Sequence, residues 1–391
     1  MKEEIIDIIG AGIGGLTTAI ALRQKGFNVR IFEQSQTLSS VGAGIILASN
    51  AMQIYNKLGL REEIEKKGKI ISSMKITKQN LDPISTMDLT YFKSLYTVNT
   101  VAIHRADLQK ILIDALKDVE IHLGYKLVDI KHHSINNILE FENGIFEKSL
   151  VLIGADGLHS MVRKISFPSV ALREAKQMCW RGVTDYALIS NQADTLYELW
   201  GDTARFGFVK ISDTKVYWYA LKSFKKSAKE CSLDKIDTYF EAFHPIVIDM
   251  ISSTSNKDIH SGEIMDLKPL KTWHQNTICL LGDAAHAMTP NMGQGACQAI
   301  EDAYVISEYL SVYPTQEAFV KYQKNRYSKV ANIVKMSWTM GKVSHIQNPL
   351  LMKLRNFALS SMPVWLSRKQ SEGIFNLQIP IVGNIKNKRS F

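Results

Sequence analysis

One stretch of the chain, ICLLGDAAHAMTPNMGQGACQAIEDAYVI from Ile278 to Ile306, concentrates residues able to do chemistry. His286 could serve as a general base, and Asp283 could accept hydrogen bonds from a ligand. Gly293-Gln294-Gly295 could bring backbone N–H groups to a bound molecule, and Cys297 could form a covalent link to a cofactor. Apolar residues run up to Gly282-Asp283 and a helix-like run follows Gly295. The stretch therefore reads as buried strand, polar loop and helix start. No His-Glu-x-x-His, Walker loop or Ser–His motif occurs in the sequence, so hydrolysis and phosphoryl transfer have no support.

Other elements must position that loop. IIDIIGAGIGGLTTAIALRQKGFNVRIFE opens with a strand, Ile5–Ile9, and continues with Gly10, Gly12 and Gly15 in G-x-G-x-x-G spacing. An apolar helix then runs to about Lys25, and a second strand ends at Glu33. The first glycine permits the tight turn, the second lets a pyrophosphate approach the backbone, and the third lets helix and strand pack closely. The helix N-terminus offers free N–H groups to phosphates, and Glu33 is placed for a ribose diol. Whether the dinucleotide is NAD or FAD is not legible in this motif. LVLIGADGLHSMVRK, Leu150 to Lys164, reads as another strand leading through a Gly-Ala-Asp-Gly turn into a helix. Three strand-to-loop units converging on one sheet edge suit a single elongated ligand.

Bulk properties narrow the class. With 391 residues and 46% hydrophobic content, the chain can bury a large core and form two domains. No apolar run is long enough to span a bilayer. EEIIDIIGAG is expected to be a strand rather than a secretory signal, and four scattered cysteines without metal-ligand spacing fit a reduced cytoplasm. The net charge of +9 is spread along the chain, with the nearest approach to a cluster at Lys386, Lys388 and Arg389. No nucleic-acid partner and no metal are expected, and the oligomeric state is open.

GAGIGGL (10–16), GADGLHSMVR (154–163) and GDAAHAMTPNMGQG (282–295) with Glu301-Asp302 resemble three fingerprints of one family, in order and approximate spacing. It is the group A, p-hydroxybenzoate hydroxylase-like FAD-dependent monooxygenases. VGAGIILASNAMQIYNKLGL and HRADLQKIL are similar to counterparts in the subgroup holding zeaxanthin epoxidase, flavin urate hydroxylase and salicylate hydroxylase. The resemblance implies an α/β fold: a Rossmann-like FAD-binding domain, an inserted, mostly antiparallel β-sheet substrate domain and a C-terminal helical segment. The expected division is 1–72, 97–172 and 270–330 for FAD, 73–96 and 173–269 for substrate, and 331–391 for the helices.

The same resemblance implies non-covalent FAD, transient NAD(P)H, and O2 as co-substrate. The expected reaction is hydroxylation or epoxidation of an electron-rich aromatic, heteroaromatic or polyene molecule through a flavin C4a-hydroperoxide. Two alternatives share the motifs: a flavin-dependent reductase of the geranylgeranyl reductase type, and a non-enzymatic fold relative. The implied cofactor contacts are Gly10, Gly12, Ile13, Gly14, Gly15, Glu33, Gln34, Gly44, Arg105, Leu127, Asp156, Asp283, Pro290, Gly293, Gln294, Gly295 and Ala296. Within that set Glu33 binds the adenosine ribose, Leu127 lies against the adenine, and Arg105 reaches the pyrophosphate or ribityl region. Because the flavin carries the chemistry, no side chain is expected to be catalytic. His286, His159 and His104 read as structural or peripheral, and Cys297 as a small buried helix residue.

TLYELWGDTARFGFVKISDTKVYWYALK, rich in aromatic and β-branched residues, predicts successive hairpins. Its side chains, with those of Trp180 and Arg181, are candidates to line a substrate pocket. The selected ones are Arg205, Tyr217, Trp180, Phe206 and Pro290, although alternation allows only half of a strand to face one side. GDTARFGFVKI holds no His and no carboxylate beyond Asp202, which points to a substrate that needs no protein base. SSMKITKQNLDPISTMDL is expected to add two strands to the same sheet. Apolar-faced helices in the tail are expected to cover the domain junction, with a membrane-surface role as the rarer reading.

Overall fold

A computed structural model describes residues 5–38, 43–133, 136–168 and 170–380. Val41 and Gly42 of the quoted subgroup motif, and the basic cluster Lys386, Lys388 and Arg389, lie outside the described residues. Ile5–Ile9 is the strand the sequence predicts, and it pairs in parallel with Asn28–Glu33 on one side and Val151–Gly154 on the other. Ile278–Leu280 continues the parallel sheet beyond Val151–Gly154, Glu120–Leu123 continues it beyond Asn28–Glu33, and His274–Gln275 forms an antiparallel edge. Central strands covered on both faces need continuous apolar runs. Val151–Gly154 and Ile278–Leu280 are buried at every position.

The three strands that precede the motif loops are therefore neighbours, and their loops open at one sheet edge. The helix Ile13–Gln24 can press on this sheet because Gly15 lacks a side chain: a Cβ there would stand 1.9 Å from the Gly10 carbonyl oxygen. Gly10 itself turns at φ +105, open to glycine and strained for other residues.

The second layer is a seven-stranded sheet in the order His260–Leu267, Leu172–Asp185, Lys215–Ser223, Ala204–Lys210, Thr195–Trp200, Ser73–Lys78, Pro83–Asp88. It contains the expected hairpins, and 73–88 does supply two of its strands. Every pairing is antiparallel except that of Thr195–Trp200 with Ser73–Lys78. One face of this sheet buries Trp180, Phe206, Phe208 and Trp218 against Phe240, Val247 and Met250 in a core of its own. Its other face looks toward the parallel sheet across a cleft.

Four helices end the described chain: Gly295–Val312, Thr315–Ser344, Pro349–Ser360 and Val364–Phe375. The second runs unbroken for 30 residues through position 330, so no element begins at the border expected there. Among the described residues, no helix is long and apolar enough to cross a membrane.

Candidate active site

A cavity of about 410 Å³ lies between the two sheets. Its floor is made by Asp283 and by Pro290 through Ala296, and Gly44 lines its side. Asp283 begins a single helical turn after Gly282, and the helix Gly295–Val312 starts over its carboxylate: a Gly295 Cβ would be 3.7 Å from Asp283 Oδ1. The carboxylate touches solvent in the cleft while protein surrounds it. Burial raises its pKa, and His286, Arg105 and Arg163 oppose the rise. Neither the Asp283 carboxylate nor the Arg105 guanidinium has a side-chain hydrogen-bond partner among the described residues. Arg105 begins the helix Arg105–Asp114 beside the same cleft, and the cleft's surroundings lower its pKa by burial while Asp283 opposes that.

Two other strand ends add to this edge. Asp156 Oδ2 accepts from the backbone N–H groups of Met161 at 2.7 Å and Val162 at 3.1 Å, whereas its buried Oδ1 has no partner. Burial pushes this carboxyl up as well, against its hydrogen bonds to Ser160 and the backbone. Glu33 accepts from Ala11 N–H at 2.8 Å and Ser35 N–H at 2.9 Å, which ties the second strand to the Gly-rich loop. A Cβ on Gly12 would meet nothing within 4 Å, and no side chain caps the helix it starts. Open space thus faces a helix N-terminus, beside a carboxylate suited to a ribose.

These features test the fit of a dinucleotide. An orphaned buried oxygen, an unpartnered acid and guanidinium, and uncapped N–H groups along one edge are complementary to a molecule with hydroxyls and a pyrophosphate. Among the remaining residues expected at a cofactor, Gly14 is held between Leu281 and Ala299, and Gln34 is exposed. Ile13 and Leu127 point their side chains into the core.

The loop is anchored from behind. Gln294 turns its side chain inward, accepting from Asn50 Nδ2 at 3.1 Å and Gln298 Nε2 at 3.0 Å. Asn50 also donates to Glu301, which receives Arg326 and Lys329. Asp302 takes Arg326 Nε at 2.7 Å and lies 2.5 Å from His286 Nε2. Burial pushes the Asp302 carboxyl up, yet His286 and Arg326 outweigh it and hold it down at about 2. His286 is 1% exposed and packs against Trp273, so the structural reading suits it better than general-base work. His104 caps the helix that follows it, and Cys297 is sealed with its thiol pushed up by burial to about 12, the opposite of an activated nucleophile. Arg326 and Lys329 escaped the sequence reading. Their signal was a pair of acids, Glu301-Asp302, on a helix too apolar to leave them unpaired.

The upper wall corrects two expectations. Trp180 and Phe206 do not line the cavity; they belong to the aromatic core on the other face of the sheet. Side chains alternate along a strand, so the faces that bury Trp180 and Phe206 send their neighbours Arg181 and Arg205 to the cavity. Tyr217 and Pro290 do line it, and the Tyr217 ring fills the space that a Gly44 Cβ would need, at 2.3 Å. Arg205 bonds to Asn291 and, at 3.0 Å, to Glu198. Glu198 lies outside GDTARFGFVKI, on the adjacent strand, and was not anticipated. It also accepts from Trp200 Nε1 at 2.6 Å and Tyr219 Oη at 2.6 Å. Burial, then Glu198, drives the Tyr219 phenol well up, so Tyr219 remains a donor. Ile71, Met74, Met87, Leu89, Leu196 and Phe375 make an apolar stretch of the wall, and Thr100 and Glu263 also line the cavity.

Comparison with known proteins adds to this geometry. A family described as "FAD binding domain" matches residues 2–337. The aurachin C monooxygenase/isomerase of Stigmatella aurantiaca is 34% identical over 348 residues, 87% of this chain and 90% of that protein. The 2-heptyl-3-hydroxy-4(1H)-quinolone synthase of Pseudomonas aeruginosa strain UCBPP-PA14 is 28% identical over 373 residues, 94% of this chain and 97% of that one. Among solved structures, a single-substitution variant of Klebsiella pneumoniae HpxO complexed with FAD superposes with a TM-score of 0.88 at 22% identity. The match covers 97% of this chain and 100% of that one.

Proposed function

The chain belongs to the FAD binding domain family and is an FAD-dependent monooxygenase of group A; from there we propose that it oxygenates an electron-rich heteroaromatic ring carrying an apolar tail. Its relatives are monooxygenases, which sets aside the reductase and non-enzymatic alternatives. The observation that carries the substrate class is the asymmetry of the cavity. Arg181, Tyr219, Arg205 and Glu198 come from four successive strands of the sheet, while Ile71, Met74, Met87, Leu89, Leu196 and Phe375 give the cavity an apolar stretch, with Thr100 and Glu263 among its other lining residues. A polar ring edge would meet the first and an alkyl or isoprenoid chain the second. The quinolone named for one relative bears a heptyl group, in keeping with such a shape.

The residues divide the work of holding FAD. The N–H groups at Gly12 through Gly15 receive the pyrophosphate, Glu33 the ribose, and Arg105 and Asp283 the pyrophosphate and ribityl region. Gly293 to Ala296 bring backbone to the ring edge beside Pro290. Bound there, FAD supplies the redox chemistry, in which NAD(P)H furnishes two electrons and O2 gives one atom to the substrate and one to water. The chain's own contribution is orientation and exclusion of water. Glu198, engaged by Arg205, Trp200 and Tyr219, holds those three side chains in place at the cavity wall and is not free to remove a proton. A substrate needing no protein base fits that arrangement. In this reading segments 1–72, 97–172 and 270–330 form the FAD unit, 73–96 and 173–269 the substrate unit and 331–391 the helical segment, and the protein works in the cytoplasm.

Flavin retention tests the site. Asp283→Ala and Arg105→Ala each remove a charge-assisted hydrogen bond of about 1.5–3 kcal/mol. The flavin dissociation constant should rise by about tenfold or more in each. Full retention in both variants would overturn the assignment.

A further inference from the structure

We propose that the helices Pro349–Ser360 and Val364–Phe375 seat this protein on the surface of an anionic lipid bilayer. The first helix is built inside out for water. Leu350, Leu351, Leu354 and Phe357 fall on one stripe at helical spacing and are 76%, 52%, 62% and 68% exposed. Of its two basic residues Lys353 is exposed, whereas Arg355 is buried, donates to the carbonyls of Val343 and Ser344, and lies over the Trp200 ring. The next helix opens with Val364 and Trp365, both more than half exposed. Among the described residues six large apolar side chains are over 60% exposed, and five of them lie between 350 and 365. That concentration separates a face from the scattered apolar residues of an ordinary surface.

Charge selects the occupant. From Ile346 to the end, the sequence holds Lys353, Arg355, Arg368, Lys369, Lys386, Lys388 and Arg389 against the single acid Glu372, a net +6 of the chain's +9. An apolar stripe with an aromatic residue, in a strongly basic segment, is the composition that lies in the interface of an anionic bilayer. A second copy of the chain would bring the same positive charge to the contact. Among the described residues no helix is long and apolar enough to cross a membrane, which leaves a surface seat. The seat adjoins the cavity, because Phe375 at the end of the second helix lines its wall and Ser371 contacts Met87 of that wall. An apolar ligand dissolved in lipid would thus have a short way to the site. The proposal rests on the exposed face and the charge, and stands whatever the substrate is.

Flotation of the full-length flavoprotein with vesicles tests it, using phosphatidylcholine alone and phosphatidylcholine with phosphatidylglycerol. The protein should float with the anionic vesicles, with binding weakened by salt. In the Leu354→Ser/Phe357→Ser variant, binding should fall by at least about tenfold while flavin content stays unchanged. Anionic vesicles should blue-shift the tryptophan emission in the parent and not in Trp365→Phe. No flotation, or flotation indifferent to lipid charge and to the double variant, overturns the proposal. So does a concentration-dependent dimer that the double variant breaks without any vesicle binding.

Discussion

Arg205 and Glu198 form an ion pair across neighbouring strands, Nη1 to Oε1 at 3.0 Å, with the two residues 1% and 5% exposed. Each is the means by which the other can be buried. The pair stands at the polar end of the cavity, where Tyr219 and Trp200 complete the acid's coordination.

Removing the acid alone should therefore be worse than neutralising it in place. Glu198→Ala strands a buried guanidinium and should lower unfolding stability by about 3–5 kcal/mol. Glu198→Gln keeps an acceptor for Trp200 and should lose less. Denaturant midpoints of the two variants check this order; equal midpoints would show that the charge is not what holds the pair.

The Gly-rich loop separates folding from binding. At Gly12 a methyl group meets nothing in the protein, so Gly12→Ala should leave the stability of the apoprotein unchanged. It should nevertheless weaken FAD by about tenfold or more, because the pyrophosphate loses its close approach. Gly15→Ala places a methyl on the Gly10 carbonyl and should destabilise the apoprotein itself by about 1–3 kcal/mol. Calorimetry of flavin-free protein and flavin titration distinguish the two.

Acid should act through His345. Burial, with help from Arg205, lowers its pKa from 6.5 to about 3. A base with a depressed folded pKa is protonated first in the unfolded chain. Stability is unaffected above the unfolded value and is lost as pH falls from 6.5 toward 3. The loss from this one group is about 2 kcal/mol at about pH 5. In His345→Gln the fall in stability between neutral pH and about pH 5 should shrink by that amount. An unchanged pH slope would contradict it.

The sequence disclosed the parallel sheet well because its glycines are steric necessities: Gly10 and Gly15 leave one way for strand and helix to meet. The loop at Asp283 was legible from its order, an apolar strand ending in Gly282-Asp283 and then Gly293-Gln294-Gly295 at a helix start. Which residues face the cavity was harder. The strand Leu172–Asp185 shifts register between Glu174 and Met178, with Lys176 at φ +54. That shift is two residues, so alternation survives it; alternation says which residues share a face but not which face meets the cavity, so Trp180 could not be assigned from its position. Glu198 was missed because its partner is a residue of the next strand, brought near by pairing alone. The long helix across position 330 has no break in its pattern to read.

The central claim is that an oxygen atom from O2 enters a ring whose apolar tail lies along Ile71, Met74, Leu89 and Phe375. The direct measurement uses isotopically labelled dioxygen, NAD(P)H and two 4-quinolones, one with an alkyl chain and one without. Product mass is read beside reductant consumption. The tailed compound should accelerate NAD(P)H oxidation and gain one labelled oxygen per turnover, while the bare ring should give little product. Turnover at the same rate without dioxygen, or a product without the label, would contradict the account.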